Sequence, residues 1–242
     1  MKLFFRFSKF RMCARFITWV NQNKEYLQYL PMEVKVNYFY YEGRLNLYEF
    51  NYRQAEESLS YAYHNCLDYY VKNEAKILKF LLPVRMLFGK FPKAALFDAY
   101  GLEEYKGIGE ACKEGNLRLF SSEMKRYEQK FIASGVYLMM EKLRMVTLRN
   151  LFKRIHIALG EEPKIDLAQI LPLLREQEEE LDPEEEDEDH MDMDDLECLV
   201  ANLIYKGWIK GYVLHDKKLL ILKKTEAFPE IDKVMKTCAS KQ

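Results

Sequence analysis

The sequence predicts a mainly α-helical protein in which a right-handed stack of helical repeats is followed by a winged helix. Helix-like apolar spacing, interrupted by prolines and glycines, fills the first part of the chain, and a helix followed by a β-hairpin occupies residues 194–224. We therefore expect helical repeats in residues 1–135, a winged helix in residues 141–224 and a C-terminal tail in residues 225–242.

The predicted helix and hairpin lie in the run DDLECLVANLIYKGWIKGYVLHDKKLLILKK. Apolar residues recur every three or four positions from Leu196 to Ile204, so they share one helix face, and Gly207 follows where that helix should end. Strand-like apolar runs at residues 208–214 and 219–222 flank the polar turn HDKK. Two more helices are expected before this run, at residues 143–159 and 166–175.

The first part of the chain has the spacing of paired helices. Gly43, Ala55, Leu59 and Ala62 fit the tetratricopeptide pattern, in which small residues let two helices approach closely. The Trp and terminal Pro of that motif are absent, so we interpret the match as a helical-repeat pair and not as that family. Helices are expected at residues 2–30 (a hairpin), 34–47, 53–69, 75–88 with a break or a kink at Pro83, 93–100, 103–114 and 117–134.

The composition supports a globular core. The chain is 49% apolar with 17 Tyr and 15 Phe, and its apolar runs are shorter than the roughly 18 residues of a membrane span. Its first twenty residues are basic and aromatic. We interpret them as an amphipathic helix with Leu3, Phe7, Phe10, Ala14 and Ile17 on one face, rather than a secretory signal or a transit peptide.

The net charge of −1 hides two parts of opposite charge. Residues 176–197 hold 15 acidic and no basic residues, so the rest of the chain carries 37 basic against 23 acidic residues. Self-repulsion predicts that residues 176–195 form a disordered acidic insert. The basic remainder favours a polyanionic partner, although a solvated surface explains spare lysines equally well.

No residue pattern indicates catalysis, a cofactor or a metal. The five cysteines are scattered without a CxxC pair, which is typical of buried thiols in a reducing compartment. The four histidines have neither metal-ligand spacing nor a neighbouring nucleophile. The acidic insert lacks the glycine of a calcium-binding EF-hand loop. We therefore predict a binding or assembly module and no enzyme.

Lysines cluster at the predicted hairpin. Such lysines can neutralise phosphates, or simply keep an exposed hairpin soluble. Trp208 and Tyr212 could stack on bases, although strand residues of a small domain more often belong to the core or to an interface. The lysines are Lys206, Lys210, Lys217, Lys218, Lys223 and Lys224.

Several runs resemble the PCI domain family, and within it the PCI-domain-containing protein two group and the fungal Thp-type subunits of the nuclear transcription-export complex. They are NYRQAEESLSYAYHNC, ILKFLLPVRMLFGKFP, EGNLRLF, EKLRMVTLRNLFKRI and CLVANLIYKGWIKGYV. The resemblance covers residues 2–228. It implies a scaffold whose winged helix pairs with a GANP/Sac-type scaffold protein and which holds a small acidic DSS/Sem-type protein.

The resemblance also implies RNA or DNA binding and a location in the nucleus at nuclear pores, with the cytoplasm as a second location. Expected nucleic-acid-binding residues carried over by the match are Arg149, Lys153, Arg154, Lys206 and Lys210. Lys217 and Lys218 are expected on local charge alone, and Trp208, Ile209 and Tyr212 are expected at the partner interface.

Two departures from the family qualify these expectations. Family members have further helical repeats before the point where this chain starts, which indicates a short form or an incomplete gene model. The acidic insert interrupts the winged helix and could weaken nucleic-acid binding. The alternative is a PCI subunit of a signalosome- or proteasome-lid-type assembly, without nucleic-acid binding.

Overall fold

The computed structural model describes residues 1–67, 70–179 and 191–239. The chain divides into two compact units. Unit 1 comprises residues 1–85 and 93–103, and unit 2 comprises residues 86–92 together with the chain from residue 104 onwards. Helices dominate both, so the predicted mainly α PCI-type fold is confirmed. In the residues that are described, no helix is both long and apolar enough to cross a membrane.

The regular secondary structure of unit 1 consists of helices alone over its described residues. Its helices are α1 (Lys2–Arg6), α2 (Phe10–Gln22), α3 (Met32–Tyr48), α4 (Tyr52–His64), α5 (Val71–Leu87, whose last two residues fall in unit 2) and α6 (Ala94–Tyr100), with a 3-10 helix at Lys24–Tyr29.

The predicted close approach of two helices is confirmed in α3 and α4. A Cβ atom built on Gly43 would lie 2.5 Å from Cγ of Leu59, so only glycine fits there. Ala55, Leu59 and Ala62 have no exposed surface. Beside this contact the buried carboxylate of Glu42 accepts a hydrogen bond from the Ser58 hydroxyl at 2.9 Å, which ties the two helices together.

The N-terminal prediction is only partly correct. The helix is interrupted between α1 and α2 at Ser8, whose φ is 52°, so one continuous apolar face cannot form. Leu3 and Phe7 are therefore 65% and 64% exposed, although Ile17 is buried as expected. Cys13 and Val20 complete the buried face of α2.

Two helices in unit 1 also differ from the prediction. Helix α5 is one helix that continues through Pro83, so the expected break is absent there. The neighbouring residues Leu82 and Val84 are fully buried, and this packing offsets the roughly 3 kcal/mol that an interior proline costs a helix. Helix α4, expected to reach residue 69, ends at His64, and residues 68–69 lie outside the described part of the chain.

Unit 2 contains the winged helix and the helices that precede it. Its elements are α7 (Lys106–Glu114), α8 (Leu117–Ser134), α9 (Tyr137–Ala158), β1 (Lys164–Asp166), α10 (Leu167–Glu179), α11 (Met193–Tyr205), β2 (Gly211–Leu214), a 3-10 turn (His215–Lys217), β3 (Leu219–Leu222) and α12 (Ile231–Ala239). We call β2, the turn and β3 the wing.

The winged helix has the order α9-β1-α10-α11-β2-β3, and its antiparallel sheet has the strand order β1-β3-β2. Strand β1 is missing from the prediction, because three residues are too short to show a period of two. Ile165 pairs with Leu220, and both are fully buried. The apolar face of α11 that the sequence predicted is buried as well. Leu196, Val200 and Leu203 form that face.

Helices α7 and α9 meet along a contact formed by Cys112, Gly115, Thr147, Asn150 and Arg154. We call these residues, together with Arg149, which donates to Asn150, the α7–α9 seam. Gly115 ends α7 with φ +70°, and a Cβ there would lie 2.4 Å from the Leu151 nitrogen. The Asn150 side chain donates to the Cys112 carbonyl at 2.7 Å. These contacts satisfy the last turn of α7, whose carbonyls have no partner within the helix.

The C-terminal segment packs on unit 2 more fully than expected. Phe228 and Pro229 return to α9, where the Arg149 guanidinium donates to both of their carbonyls, at 3.1 and 2.7 Å. Helix α12 then follows within the segment that the sequence analysis treated only as a C-terminal tail. Ile231 at its start is 4% exposed and contacts Gly89.

The acidic insert is ordered at both ends, which corrects part of the predicted disorder over residues 176–195. Helix α10 runs through Pro172 to Glu179. Helix α11 begins with a capping box, in which Asp192 and Asp195 each accept a backbone N–H from the other. The rest of the insert, residues 180–190, lies outside the described residues.

Candidate interaction surface of the winged helix

The predicted nucleic-acid-binding residues do not form one cluster. The wing separates Lys217 and Lys218, in its turn, from Lys210, which precedes β2. A four-residue strand is about 13 Å long, so these lysines lie at opposite ends of the hairpin. Lys217 and Lys218 are exposed at the tip, and Lys218 adopts φ 53°.

Arg149 is not a surface cation, which corrects its predicted role. It is 5% exposed, and its guanidinium donates to Asn150 Oδ1 and to the carbonyls of Phe228 and Pro229. Burial lowers the pKa of this guanidinium. Its charge therefore holds the C-terminal segment against α9, and only a small part of the side chain reaches the wall of the cavity described next.

Lys153 and Arg154 are exposed on α9 and line a cavity of about 620 Å³. Arg154 donates to the Glu114 carbonyl at 2.6 Å, at the C-terminal end of α7, where a cation is favourable. Lys90 also lines the cavity and forms a 3.7 Å ion pair with Asp232. This basic cavity is distinct from the wing tip.

Lys206 and Lys210 are each engaged by a neighbouring side chain. The Lys206 ammonium lies 5.4 Å from the centre of the Trp208 ring. Burial, and to a lesser degree the charge of Lys142, lower the pKa of Lys206. Lys210 forms an ion pair with Glu226, and its hydrogen bond and charge lower the pKa of that carboxyl. Much of the Lys210 charge is thereby neutralised.

Trp208 and Ile209 are core residues, which corrects their prediction as partner contacts. They are 4% and 1% exposed, because they follow α11 directly and turn inward before β2 begins. Tyr212 is 57% exposed and remains a candidate for the interface. Alternation along β2 places it on the face of the sheet opposite to the buried Leu220.

The outer face of the sheet adds two residues that the prediction did not include. Tyr212 pairs with Ile221, and Ile221 pairs with Lys164 of β1, so the three lie in one row across the sheet. Ile221 is half-buried and Lys164 is exposed. Side chains alternate between the two faces of a strand, so Ile221 could have been placed on the outer face once Leu220 was assigned to the core. Lys164 could be placed there only after β1 was known. This outer face combines an exposed aromatic ring, an aliphatic side chain and a cation.

A third group of polar side chains lies between α11 and the wing. His215 Nδ1 is 2.7 Å from Glu197 Oε2, and one ligand atom from each of Asp194, Glu197 and His215 lies within 4.8 Å of the others. The hydrogen bond that His215 donates to Glu197, more than the charge of that carboxylate, raises the pKa of His215. Sequence spacing could not indicate this group, because its three members belong to two elements and the first and last are 21 residues apart.

A series of helices that ends in a winged helix of this order defines a PCI-domain protein. PCI domain-containing protein 2 of Xenopus laevis is 34% identical over 233 residues, which cover 96% of this chain and 56% of that protein. Its Caenorhabditis elegans homolog is 35% identical, over 96% of this chain and 54% of that protein. The Protein CSN12 homolog of Neurospora crassa is 32% identical, over 84% and 46% respectively.

The chain therefore belongs to the family of PCI domain-containing protein 2, as its resemblance predicted. It spans about half the length of the curated relatives it matches. No protein-family model matches it.

Proposed function

We propose that this chain is a non-enzymatic PCI scaffold subunit of a nuclear complex that couples transcription to mRNA export. The main support is its 34% identity to PCI domain-containing protein 2 over 96% of the chain, which includes the whole winged helix. In this proposal the protein acts by stoichiometric binding, at nuclear pores and secondarily in the cytoplasm.

The outer face of the sheet is the proposed contact for the GANP/Sac-type scaffold protein. Tyr212 supplies the large aromatic area that is enriched at protein interfaces, and Ile221 continues it as an apolar surface. Lys164 lies at the end of the same row, as a polar rim residue would. A small acidic DSS/Sem-type protein is the second proposed partner, and it would complement the basic charge of the chain outside its acidic insert.

The wing tip is the proposed contact for RNA or DNA. Lys217 and Lys218 project from a short turn where two phosphates can be approached together. Lys153 on α9 and Lys206 after α11 are separate from the wing tip and would add phosphate contacts of their own, while Lys210 contributes less because Glu226 pairs with it. Contacts of this kind bind the phosphate backbone and carry little sequence information.

The alternative is a PCI subunit of a signalosome- or proteasome-lid-type assembly that does not bind nucleic acid. One observation favours it, the 32% identity to the Neurospora crassa protein whose name is Protein CSN12 homolog. The two proposals differ in which proteins co-purify with the chain.

Affinity purification from the cells that express the protein, at moderate salt and with partners identified by mass spectrometry, tests both. We expect a GANP/Sac-type scaffold and a DSS/Sem-type protein with the wild type. Tyr212→Asp should reduce recovery of the scaffold about tenfold or more, as loss of an aromatic anchor does. Tyr205→Asp is the matched control, because Tyr205 is 91% exposed and lies outside the sheet. Recovery of signalosome or proteasome-lid subunits instead would overturn the export proposal.

A further inference from the structure

Asp194, Glu197 and His215 bring three metal-ligand side chains together where α11 meets the wing. Asp194 and Glu197 are three residues apart at the start of α11, so they share one face of the helix. His215 is the first residue of the turn after β2, and one ligand atom of each lies within 4.8 Å of the other two. Two ligand atoms bonded to one ion at about 2.1 Å lie at most about 4.2 Å apart, so a small movement of these side chains brings all three to bonding distance.

The other acidic residues at the start of α11 are already used. Asp192 and Asp195 accept each other's backbone N–H in the capping box, which begins the helix and orients its first turn. This helix cap leaves Asp194 and Glu197 on the face towards His215. The pair is therefore positioned by the backbone structure of the first turn of α11.

The Glu197 carboxylate has an unused acceptor. Its Oε2 atom lies 2.7 Å from His215 Nδ1, but its Oε1 atom is buried and accepts no hydrogen bond from any residue that the structure describes. A buried carboxylate oxygen without a partner is costly, because it has lost water and gained nothing in exchange. A bound cation would supply the missing interaction.

We propose that Asp194, Glu197 and His215 form a binding site for a divalent transition-metal ion of the zinc type. One imidazole nitrogen with two carboxylates suits zinc, whereas calcium and magnesium prefer oxygen ligands alone. The Nδ1 lone pair of His215 bonds to the metal, and the proton that a charged imidazole carries leaves to the solvent. Water fills the remaining coordination position.

Metal binding at this site joins α11 to the wing. Asp194 and Glu197 belong to α11, and His215 lies directly before Lys217 and Lys218 in the turn of the wing. An ion held by both would fix the wing tip against α11 and stabilise the folded state, because the unfolded chain does not hold the three ligands together. The site does not depend on the proposed nucleic-acid or partner binding.

Zinc titration of the full chain without a histidine tag, in competition with a chromophoric chelator, tests the proposal. We expect one zinc ion to bind, the ring resonances of His215 to shift in NMR spectra, and the melting temperature to rise. His215→Ala and Asp194→Asn should each weaken zinc binding tenfold or more, while His215→Cys, which keeps a zinc ligand, should retain most of the affinity.

The matched controls are His156→Ala on α9 and Asp216→Asn in the same turn, neither of which removes a ligand. Zinc bound equally well by the wild type, His215→Ala and Asp194→Asn would overturn the site, as would a wild type that takes no zinc from the chelator. Asp194 and His215 are both exposed at the surface, so circular dichroism should show that the variants at these two positions fold.

Discussion

The α7–α9 seam and the wing both carry basic residues that the sequence placed in one nucleic-acid-binding set, but the two regions use them differently. In the seam, Arg149 is buried and donates to carbonyls of the C-terminal segment. In the wing, Lys217 and Lys218 are exposed at a turn. The comparison teaches that positive charge alone does not mark a ligand site, because a cation that satisfies buried carbonyls is already part of the fold.

The largest contrast is expected in thiol reactivity. Burial raises the pKa of the Cys112 thiol to about 12 in the seam, whereas Cys198 on α11 is exposed. The thiolate is the reactive form, and its fraction falls about tenfold for each unit by which the pKa rises. Cys112 should therefore alkylate at least about a hundredfold more slowly than Cys198 at pH 8, as measured by peptide mass mapping over time. Equal rates would mean that the seam opens readily.

Arg149→Met should cost about 2–4 kcal/mol of unfolding free energy. The reason is that three hydrogen bonds donated by the charged guanidinium are lost and their buried acceptors are left unpaired. Chemical denaturation measures this loss. Lys153→Met, an exposed cation on the same helix, is the control and should change stability by about 0.5 kcal/mol or less. Similar losses for the two variants would contradict the structural role of Arg149.

Two glycines with the same backbone conformation separate packing from strain. Gly115 and Gly135 end consecutive helices with φ of +70° and +73°, but only Gly115 has backbone atoms where a Cβ would lie. Gly135→Ala should cost about 1–2 kcal/mol for the left-handed conformation alone. Gly115→Ala should cost about 2 kcal/mol more, because α7 must move away from α9. Equal melting temperatures for the two variants would show that the seam is loosely packed.

The smallest effect is expected at Lys210, which precedes the wing and is already paired with Glu226. Glu226→Gln removes the partner of Lys210 and should raise RNA affinity about two- to fivefold, with a steeper dependence on salt. Fluorescence anisotropy measures both quantities. Glu230→Gln is the matched control, because Glu230 pairs with Lys233 of α12, outside the wing. An equal rise in both variants would indicate a general charge effect.

Local pattern predicted much of the fold. Asn116 caps α8 with its side chain and Gly135 ends it, so the predicted bounds of this helix match the structure at both ends. Gly43 and its partners were identified from spacing, because close packing restricts residue size. Strand β1 and α12 were missed, since one is too short and the other amphipathic segment lies in a stretch of mixed composition.

The candidate site was less predictable than the fold. The resemblance predicted Arg149 as a nucleic-acid-binding residue, but the carbonyls to which it donates lie 79 and 80 residues further along the chain. Trp208 and Ile209 were assigned to a strand that begins only at Gly211. The group of Asp194, Glu197 and His215 forms only when the wing folds back on α11. Each case depends on contacts between distant residues, which a local pattern does not contain.

The most direct test of the proposed function is the salt dependence of RNA binding by the wing tip. Fluorescence anisotropy of a labelled single-stranded RNA would compare the wild type with Lys217→Glu/Lys218→Glu between about 50 and 200 mM salt. Lys125→Glu/Lys130→Glu on α8 is the control, because it makes the same charge change on exposed residues outside the winged helix.

We expect the wing variant to bind at least about tenfold more weakly at low salt, and its slope of log affinity against log salt to fall in magnitude by about 1–2, as two lost phosphate contacts require. The control should stay close to the wild type. A wing variant whose affinity and slope equal those of the control would contradict nucleic-acid binding by the wing tip and favour the assembly without nucleic acid.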